Sequence, residues 1–173
     1  MFTGKKIRLT SIKKGDLSTY RVWNGVEAFG RYYNAFPIRE ESEKNAEKLI
    51  EEHSDKTFRF AIRPVGSEDF LGICAIEDII WPHRIGWISI ALGPDYHSKG
   101  YGKETMQLLL NYAFNEVNLH RVQLSVFSYN AGAIKLYESL GFTHEGTFRE
   151  WMQRDGRRHD MHLYGMLASE YRK

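Results

Sequence analysis

The stretch Ile88-Ser89-Ile90-Ala91-Leu92-Gly93-Pro94-Asp95-Tyr96-His97-Ser98-Lys99-Gly100-Tyr101-Gly102-Lys103 carries an apolar strand through a glycine-containing loop into the most strongly patterned helix of the chain. Met106, Leu109, Leu110, Ala113, Phe114 and Val117 form that helix's apolar stripe, at i, i+3, i+4, i+7, i+8 and i+11. Residues 121–127 then alternate, with Val122, Leu124 and Val126 on one face, as a strand does. Strand, helix and strand in that order predict a crossover connection within a sheet.

Working outward, Ile7-Arg8-Leu9-Thr10 alternates as a short strand, and Gly15-Asp16 offers a turn and an N-cap for a helix through Leu17, Tyr20 and Trp23. Asn24-Gly25 stops it. The next stretch reads as polar apart from Phe36 until Ser42, after which Ala46, Leu49 and Ile50 mark a solvated amphipathic helix. Phe58, Phe60 and Ile62 alternate with Arg59, Ala61 and Arg63 in a strand that Pro64 ends. Residues 70–80 and 85–92 read as strands joined by Trp81-Pro82-His83-Arg84, a connection that suits an antiparallel hairpin. Downstream, Asn130 caps a helix through Ala133, Leu136, Tyr137 and Leu140, with Gly141 as its C′ residue and Phe142 placed for the accompanying apolar contact. Strands around 142–152 and 157–167 flank the hairpin signal Arg154-Asp155-Gly156. Such mixing predicts an α/β (mixed α+β) fold: a central mixed, mostly antiparallel sheet with helices on both faces.

With 173 residues, 42% hydrophobic and 14% aromatic, the chain predicts one domain spanning 1–173 and excludes a disordered or low-complexity polymer. Its 24 basic and 22 acidic residues are scattered, so a nucleic-acid partner is not demanded. Cys74 is the one cysteine and has no internal partner, which points to a reducing compartment, the cytoplasm. No segment approaches the roughly 20 apolar residues of a membrane span, and no secretory leader is recognised at Met1.

The loop before the strong helix is built as an anion cradle. A helix's first turn leaves N–H donors unpaired, its dipole adds partial positive charge, and glycines admit a phosphate to the backbone. Lys99 and Lys103 add formal charge. A phosphate loop of the nucleotide-hydrolase kind needs Ser or Thr after Gly102-Lys103, where Glu104 stands. A dinucleotide fingerprint wants a small residue at Thr105 and a first parallel βαβ unit, not a loop that follows hairpins. A glycine-rich helix start with no ligand is the plain alternative for an isolated Gly-x-Gly.

Two ordered motifs narrow this. Ser98-Lys99-Gly100-Tyr101-Gly102 resembles the Gln/Arg-x-x-Gly-x-Gly/Ala loop of the GNAT superfamily of acetyl-CoA-dependent N-acetyltransferases. Residues 130–142, Asn-Ala-Gly-Ala-Ile-Lys-Leu-Tyr-Glu-Ser-Leu-Gly-Phe, resemble that family's Asn-x-x-Ala-x-x-Leu-Tyr-x-x-x-Gly-Phe helix. The likeness covers nearly the whole chain. Glu145-Gly146 to Trp151, Asp155-Gly156 and the strand of residues 160–167 resemble the branch of ribosomal-protein N-terminal and spermidine acetyltransferases. His97 stands where the family usually has Gln or Arg, and its ring can meet a phosphate or cap the loop.

The resemblance implies that acetyl-CoA is the co-substrate, with its diphosphate on the amides of residues 98–103 (Ser98, Lys99, Gly100, Tyr101, Gly102, Lys103). Its pantetheine arm would pair with Ile90, Ala91 and Leu92 where two strands splay apart. It also implies direct acetyl transfer to a primary amine, with a backbone N–H at the strand end as oxyanion donor. Tyr137 is the implied acid for the leaving thiolate, although its place on an apolar stripe also fits a core residue. Asn130 reads as an N-cap and, by the resemblance, as a neighbour of the cofactor arm. For the amine's proton or charge, Glu77 interrupts an apolar run and Asp78 falls on the opposite face by alternation. Glu27 and Glu145 are further acids, more simply read as solvated.

No Cys-x-x-Cys or His-Glu-x-x-His spacing accompanies Cys74 or the histidines, so no metal is expected. Ser125 and Ser128 lack a Gly-x-Ser-x-Gly elbow. The cluster from Arg154 to His159 reads as a solvated hairpin tip, or as a surface for an acidic partner. A peptide N-terminus and a polyamine are both open as the amine, the acidic Glu40, Glu41 and Glu43 keeping the polyamine in view. A CoA-binding sensor module without turnover is the reading from another class. The family's habits favour a homo-oligomer, a dimer first.

Overall fold

The computed structural model describes residues 1–51 and 54–171. Seven strands, β1 (Ile7–Thr10), β2 (Phe58–Pro64), β3 (Gly72–Ile80), β4 (Ile85–Leu92), β5 (Arg121–Phe127), β6 (Thr143–Arg154) and β7 (Arg157–Leu167), form one sheet in the order β1-β2-β3-β4-β5-β7-β6. Among the described residues six α-helices accompany them: α1 (Asp16–Asn24), α2 (Glu27–Tyr33), α3 (Glu43–Glu51), α4 (Tyr101–Asn115), α5 (Ala131–Ser139) and α6 (Ala168–Tyr171). All neighbouring strands are antiparallel except β4 and β5, which the α4 crossover makes parallel. The mixed, mostly antiparallel sheet read from the sequence is therefore the observed fold.

The apolar stripe of α4 builds the larger core. Met106, Leu109, Ala113 and Phe114 lose all solvent contact against Ile62, Cys74, Ile76 and Val122. Each fully buried large side chain contributes about 1.5–3 kcal/mol of transfer free energy, so this helix anchors one face. On the other face α1, α2 and α3 cover Ala61, Ile73 and Ala91 with Leu17, Tyr20, Phe29 and Ala46. No helix among the described residues is long and apolar enough to cross a membrane.

Two features depart from the sequence reading. The stretch read as polar between Gly25 and Ser42 holds α2, whose seven residues are too short for a persistent helical period. Its Phe29, Tyr32 and Tyr33 nevertheless stand at i, i+3 and i+4, and Phe29 is buried. Asp16 does not cap α1: Gly15 holds the cap position without a side-chain bond, and Asp16 lies inside the first turn. There its Oδ2 accepts from the Lys13 N–H (2.8 Å) and pairs with Arg63 Nη2 (2.5 Å).

The C-terminus of α5 follows the expected glycine stop. Gly141 (φ 90°) donates to the Glu138 carbonyl, Phe142 donates to the Tyr137 carbonyl, and the Phe142 and Tyr137 rings lie 5.8 Å apart edge to face. These are the two backbone bonds and the apolar contact of a Schellman motif, which fix the orientation of Tyr137.

Candidate active site

β4 pairs with β5 only over Ile85, Gly86 and Trp87. From Ile88 to Leu92 it keeps β3 as its partner, while β5 keeps β7, so the two central strands part. A cleft of about 840 Å³ fills the gap. It runs through the sheet. At one end stand the start of α4 and the first turns of α5; at the other stand α2, Glu77 and Tyr129.

At the α4 end the chain turns on two residues with positive φ, Ser98 (59°) and Gly100 (83°). The N–H groups of Tyr101, Gly102 and Lys103 have no partner among the described residues, and the first amide to bond back is that of Glu104, to the Gly100 carbonyl. Glu104 itself turns away and accepts from the backbone N–H groups of Lys5, Lys6 (2.9 Å) and Ile7 (3.0 Å), so no carboxylate competes for the free donors. His97 Nε2 lies 3.0 Å from the Leu92 carbonyl oxygen, so the ring ties the loop to the end of β4. A donor cluster at a helix N-terminus suits a diphosphate. Gly100→Val forces a β-branched residue into the left-handed region. We predict at least a tenfold weaker CoA affinity by calorimetry, with the far-ultraviolet spectrum unchanged.

Of the residues expected to meet the cofactor, Ile90, Ala91, Leu92, His97, Ser98, Gly100, Gly102, Lys103 and Asn130 line the cleft. Lys99 and Tyr101 do not: the Lys99 ammonium lies 5.7 Å from the Tyr96 ring centre, and Tyr101 packs on the α4 core. Lys99 lies in the loop before α4 with its side chain turned to Tyr96, and Tyr101 turns its ring to the core while its N–H stays among the free donors. Asn130 Oδ1 accepts from the Ala133 N–H (3.2 Å), which is the expected cap.

Tyr137 lies on the cleft wall and is 7% exposed, so it is a core residue and a cleft residue at once. Burial pushes its hydroxyl up to about 12.

Glu77 and Asp78 both line the cleft. The alternation that put them on opposite faces fails because the β3–β4 register shifts between Glu77 and Ile80, and Asp78 takes φ 50° in that bulge. Glu77 Oε1 accepts from Arg59 Nε and its Oε2 from the Ser89 hydroxyl, each at 3.2 Å. The Asp78 carboxylate has no partner among the described residues. The other acids lie elsewhere. Glu27 pairs with Arg31, Glu145 holds the Arg121 guanidinium with both oxygens, Glu40 pairs with Arg21, and Glu41 accepts from Asn45.

The sequence reading missed the aromatic side of the cleft, formed by Phe29, Tyr32, Tyr33, Trp87, Phe127 and Tyr129. The hairpin tip read as solvated is exposed from Asp155 to Arg158, and Arg154 at its base is the exception. Arg154 instead donates to the carbonyls of Arg31 (2.8 Å) and Asn34 (2.6 Å), Tyr129 donates to the same Arg31 carbonyl (2.6 Å), and the Arg31 guanidinium holds the Asp155 carboxylate. Arg31 keeps the Asp155 carboxyl below the usual carboxylate range. These bonds satisfy carbonyls that the end of a seven-residue helix leaves open, and they clasp α2 across the cleft mouth. Arg154→Ala removes two charge-assisted bonds. It should raise the KM for the amine about tenfold and leave that for acetyl-CoA within twofold in steady-state assays.

Among the described residues no group of three His, Cys, Asp or Glu could hold a metal ion. Cys74 is buried, and burial pushes its thiol up, away from reactivity.

The comparisons with known proteins agree with this layout. A spermidine N(1)-acetyltransferase of Vibrio cholerae is 28% identical over 167 residues, 96% of this chain and 95% of its own length. An uncharacterised N-acetyltransferase, p20, of Bacillus licheniformis is 30% identical over 146 residues, 82% and 81% of the two chains. The solved Vibrio cholerae spermidine N-acetyltransferase in complex with CoA and spermine superposes with a TM-score of 0.85 at 26% identity, covering 96% of this chain and 98% of that one. A dodecameric structure of the same enzyme superposes with a TM-score of 0.79 at 26% identity, over 95% of each chain. The family model of the acetyltransferase (GNAT) domain matches residues 9–163, and the chain belongs to that family of N-acetyltransferases.

Proposed function

We propose that this N-acetyltransferase moves acetyl from acetyl-CoA directly to a primary amine, with both substrates in the cleft together and no acyl-enzyme. The observation that carries this is the convergence on one cleft of the unpaired α4 amides, the strand edge that β4 presents beyond Trp87, and the Tyr137 hydroxyl. Residues 101–103 and the Lys103 ammonium fit a diphosphate, and Ile90, Ala91 and Leu92 offer main-chain groups to the pantetheine arm. The co-substrate supplies an activated acetyl group and a thiolate leaving group.

The protein's own residues then have three tasks. Asp78 and Glu77 draw the incoming ammonium to the bulge. An alkylamine has a pKa of roughly 10.4 and must lose a proton before it attacks. Asp78, with its lone pairs free, accepts that proton directly or through water, while Glu77, held by Arg59 and Ser89, fixes the charge beside it. Tyr137 donates its hydroxyl hydrogen to the departing sulfur. A free thiol near 8.5 is a poor match for a hydroxyl near 12. The same burial that raises Tyr137 raises a thiolate beside it, so the two affinities draw together.

Spermidine is the second reading for the amine, favoured by the named activity of the relatives and by two carboxylates in the cleft. A homo-oligomer, a dimer in its smallest form, and a cytoplasmic place belong to the same proposal, since a lone buried thiol suits reducing conditions. The test is to mix the purified protein with acetyl-CoA and a panel of peptides, polyamines and amino sugars and to follow free thiol. Turnover of at least one amine is expected. CoA binding with no thiol release above background for any of them contradicts the transferase mechanism and leaves a sensor module.

A further inference from the structure

The N-terminal segment is built into the loop before α4. Glu104, the one acid in the first turn of that helix, accepts from the backbone N–H groups of Lys5, Lys6 and Ile7. Phe2 packs on the Phe60 and Tyr112 rings, at 5.3 and 5.1 Å between centres. The Lys6 carbonyl accepts from the Val65 N–H (2.9 Å), so both main-chain groups of Lys6 are held. Its side chain then reaches a residue 93 positions away and donates to the Lys99 carbonyl (3.1 Å). A Cβ on Gly100 would stand 3.2 Å from the Lys6 ammonium, and Gly100 lines the cleft beside the free α4 amides. Lys99 turns its own ammonium towards Tyr96, so the cation set against the loop backbone is that of Lys6.

That ammonium uses one of its three N–H bonds, and among the described residues no carboxylate pairs with it. A cation at the N-terminal end of a helix opposes the helix dipole. Lys6 and Lys103 both stand at that end of α4, and the Glu104 carboxylate is occupied by three amides. An anion there satisfies the free amides and both cations together. We infer that Lys6 is a further cofactor-binding residue, whose ammonium holds a phosphate group of CoA beside the amides of residues 101–103. This rests on the acetyl-CoA reading above and adds to it a side chain from outside both sequence motifs. CoA carries phosphate in two places, the diphosphate and the 3′-phosphate of its ribose, which offer the same anionic oxygens.

The experiment titrates CoA, and dephospho-CoA that lacks the 3′-phosphate, into the wild type, Lys6→Met and Lys6→Arg by calorimetry. It is run at about 0.01 M and about 1 M ionic strength, where charges are felt over about 30 Å and about 3 Å. At the lower ionic strength Lys6→Met should weaken CoA about tenfold, the scale of one hydrogen bond to a charged group. At the higher the loss should shrink below threefold. Lys6→Arg, which keeps the charge, should stay within threefold of the wild type. A loss shared by dephospho-CoA assigns Lys6 to the diphosphate, and a loss confined to CoA assigns it to the 3′-phosphate. A CoA affinity of Lys6→Met within twofold of the wild type at low ionic strength overturns the inference. So does a loss of equal size at both ionic strengths, which is what a merely structural tie to the Lys99 carbonyl produces. In either case CoA binding by the wild type leaves the acetyl-CoA reading standing. Absence of CoA binding to the wild type overturns both.

Discussion

Tyr137→Phe is expected to lower kcat by roughly 10²–10⁴-fold, the range of a lost general acid, while CoA affinity stays within twofold. The side chain is buried, its ring is held by the Schellman contact with Phe142, and no group among the described residues bonds its hydroxyl. Removing one oxygen therefore leaves packing intact and takes away the hydrogen that the proposed acid step needs. Because burial raises the hydroxyl to about 12, the protonated form persists throughout the working range. Wild-type kcat should show no alkaline decline from this group below about pH 11. The same shift has a sign for stability. A group raised in the folded state above its unfolded value of roughly 10 contributes stability fully below that pH and loses it as pH climbs towards the folded value. Thermal melts should accordingly fall between about pH 10 and 12, and less steeply in the Phe variant. A kcat within threefold of wild type contradicts the acid role.

The second large effect concerns stability. Asp16→Ala should cost about 3–5 kcal/mol in urea unfolding, because it strips the partner from a guanidinium that is 1% exposed. Arg63 would keep its bonds to the Thr10 hydroxyl (3.0 Å) and the Glu68 carbonyl (2.5 Å) and a long contact, 4.0 Å, to the exposed Glu68 carboxylate. Replacing the pair together, Asp16→Leu with Arg63→Met, should recover most of the loss, since a buried ion pair exchanged for apolar volume is often neutral. A single-variant loss below 1 kcal/mol would show that water reaches the site and screens the charge.

These two residues mark what a linear reading can see. Tyr137 and the α4 loop were legible because their signals are local: a helical stripe, a cap, a glycine stop and a glycine-bearing turn within a few residues of each other. Asp16 and Arg63 are 47 residues apart and meet through the packing of α1 on β2. From sequence each looked ordinary, one a cap and the other a member of the second face of an alternating strand. Asp78 was placed on the wrong face because a bulge inserts a residue that alternation does not count. The bulge's φ of 50° carries no residue-specific mark at an aspartate. The arrangement of α2 over the cleft was hidden for a different reason. A seven-residue helix is fixed by partners outside itself, here Arg154 and Tyr129, which lie 123 and 98 residues away from Arg31 in the chain.

The most direct measurement of the central claim, that the α4 amides hold the diphosphate of CoA, is calorimetric titration with CoA and, separately, with pantetheine, which lacks the nucleotide and its diphosphate. CoA should bind with micromolar affinity and pantetheine at least 100-fold more weakly. Equal affinities for the two ligands would contradict the claim.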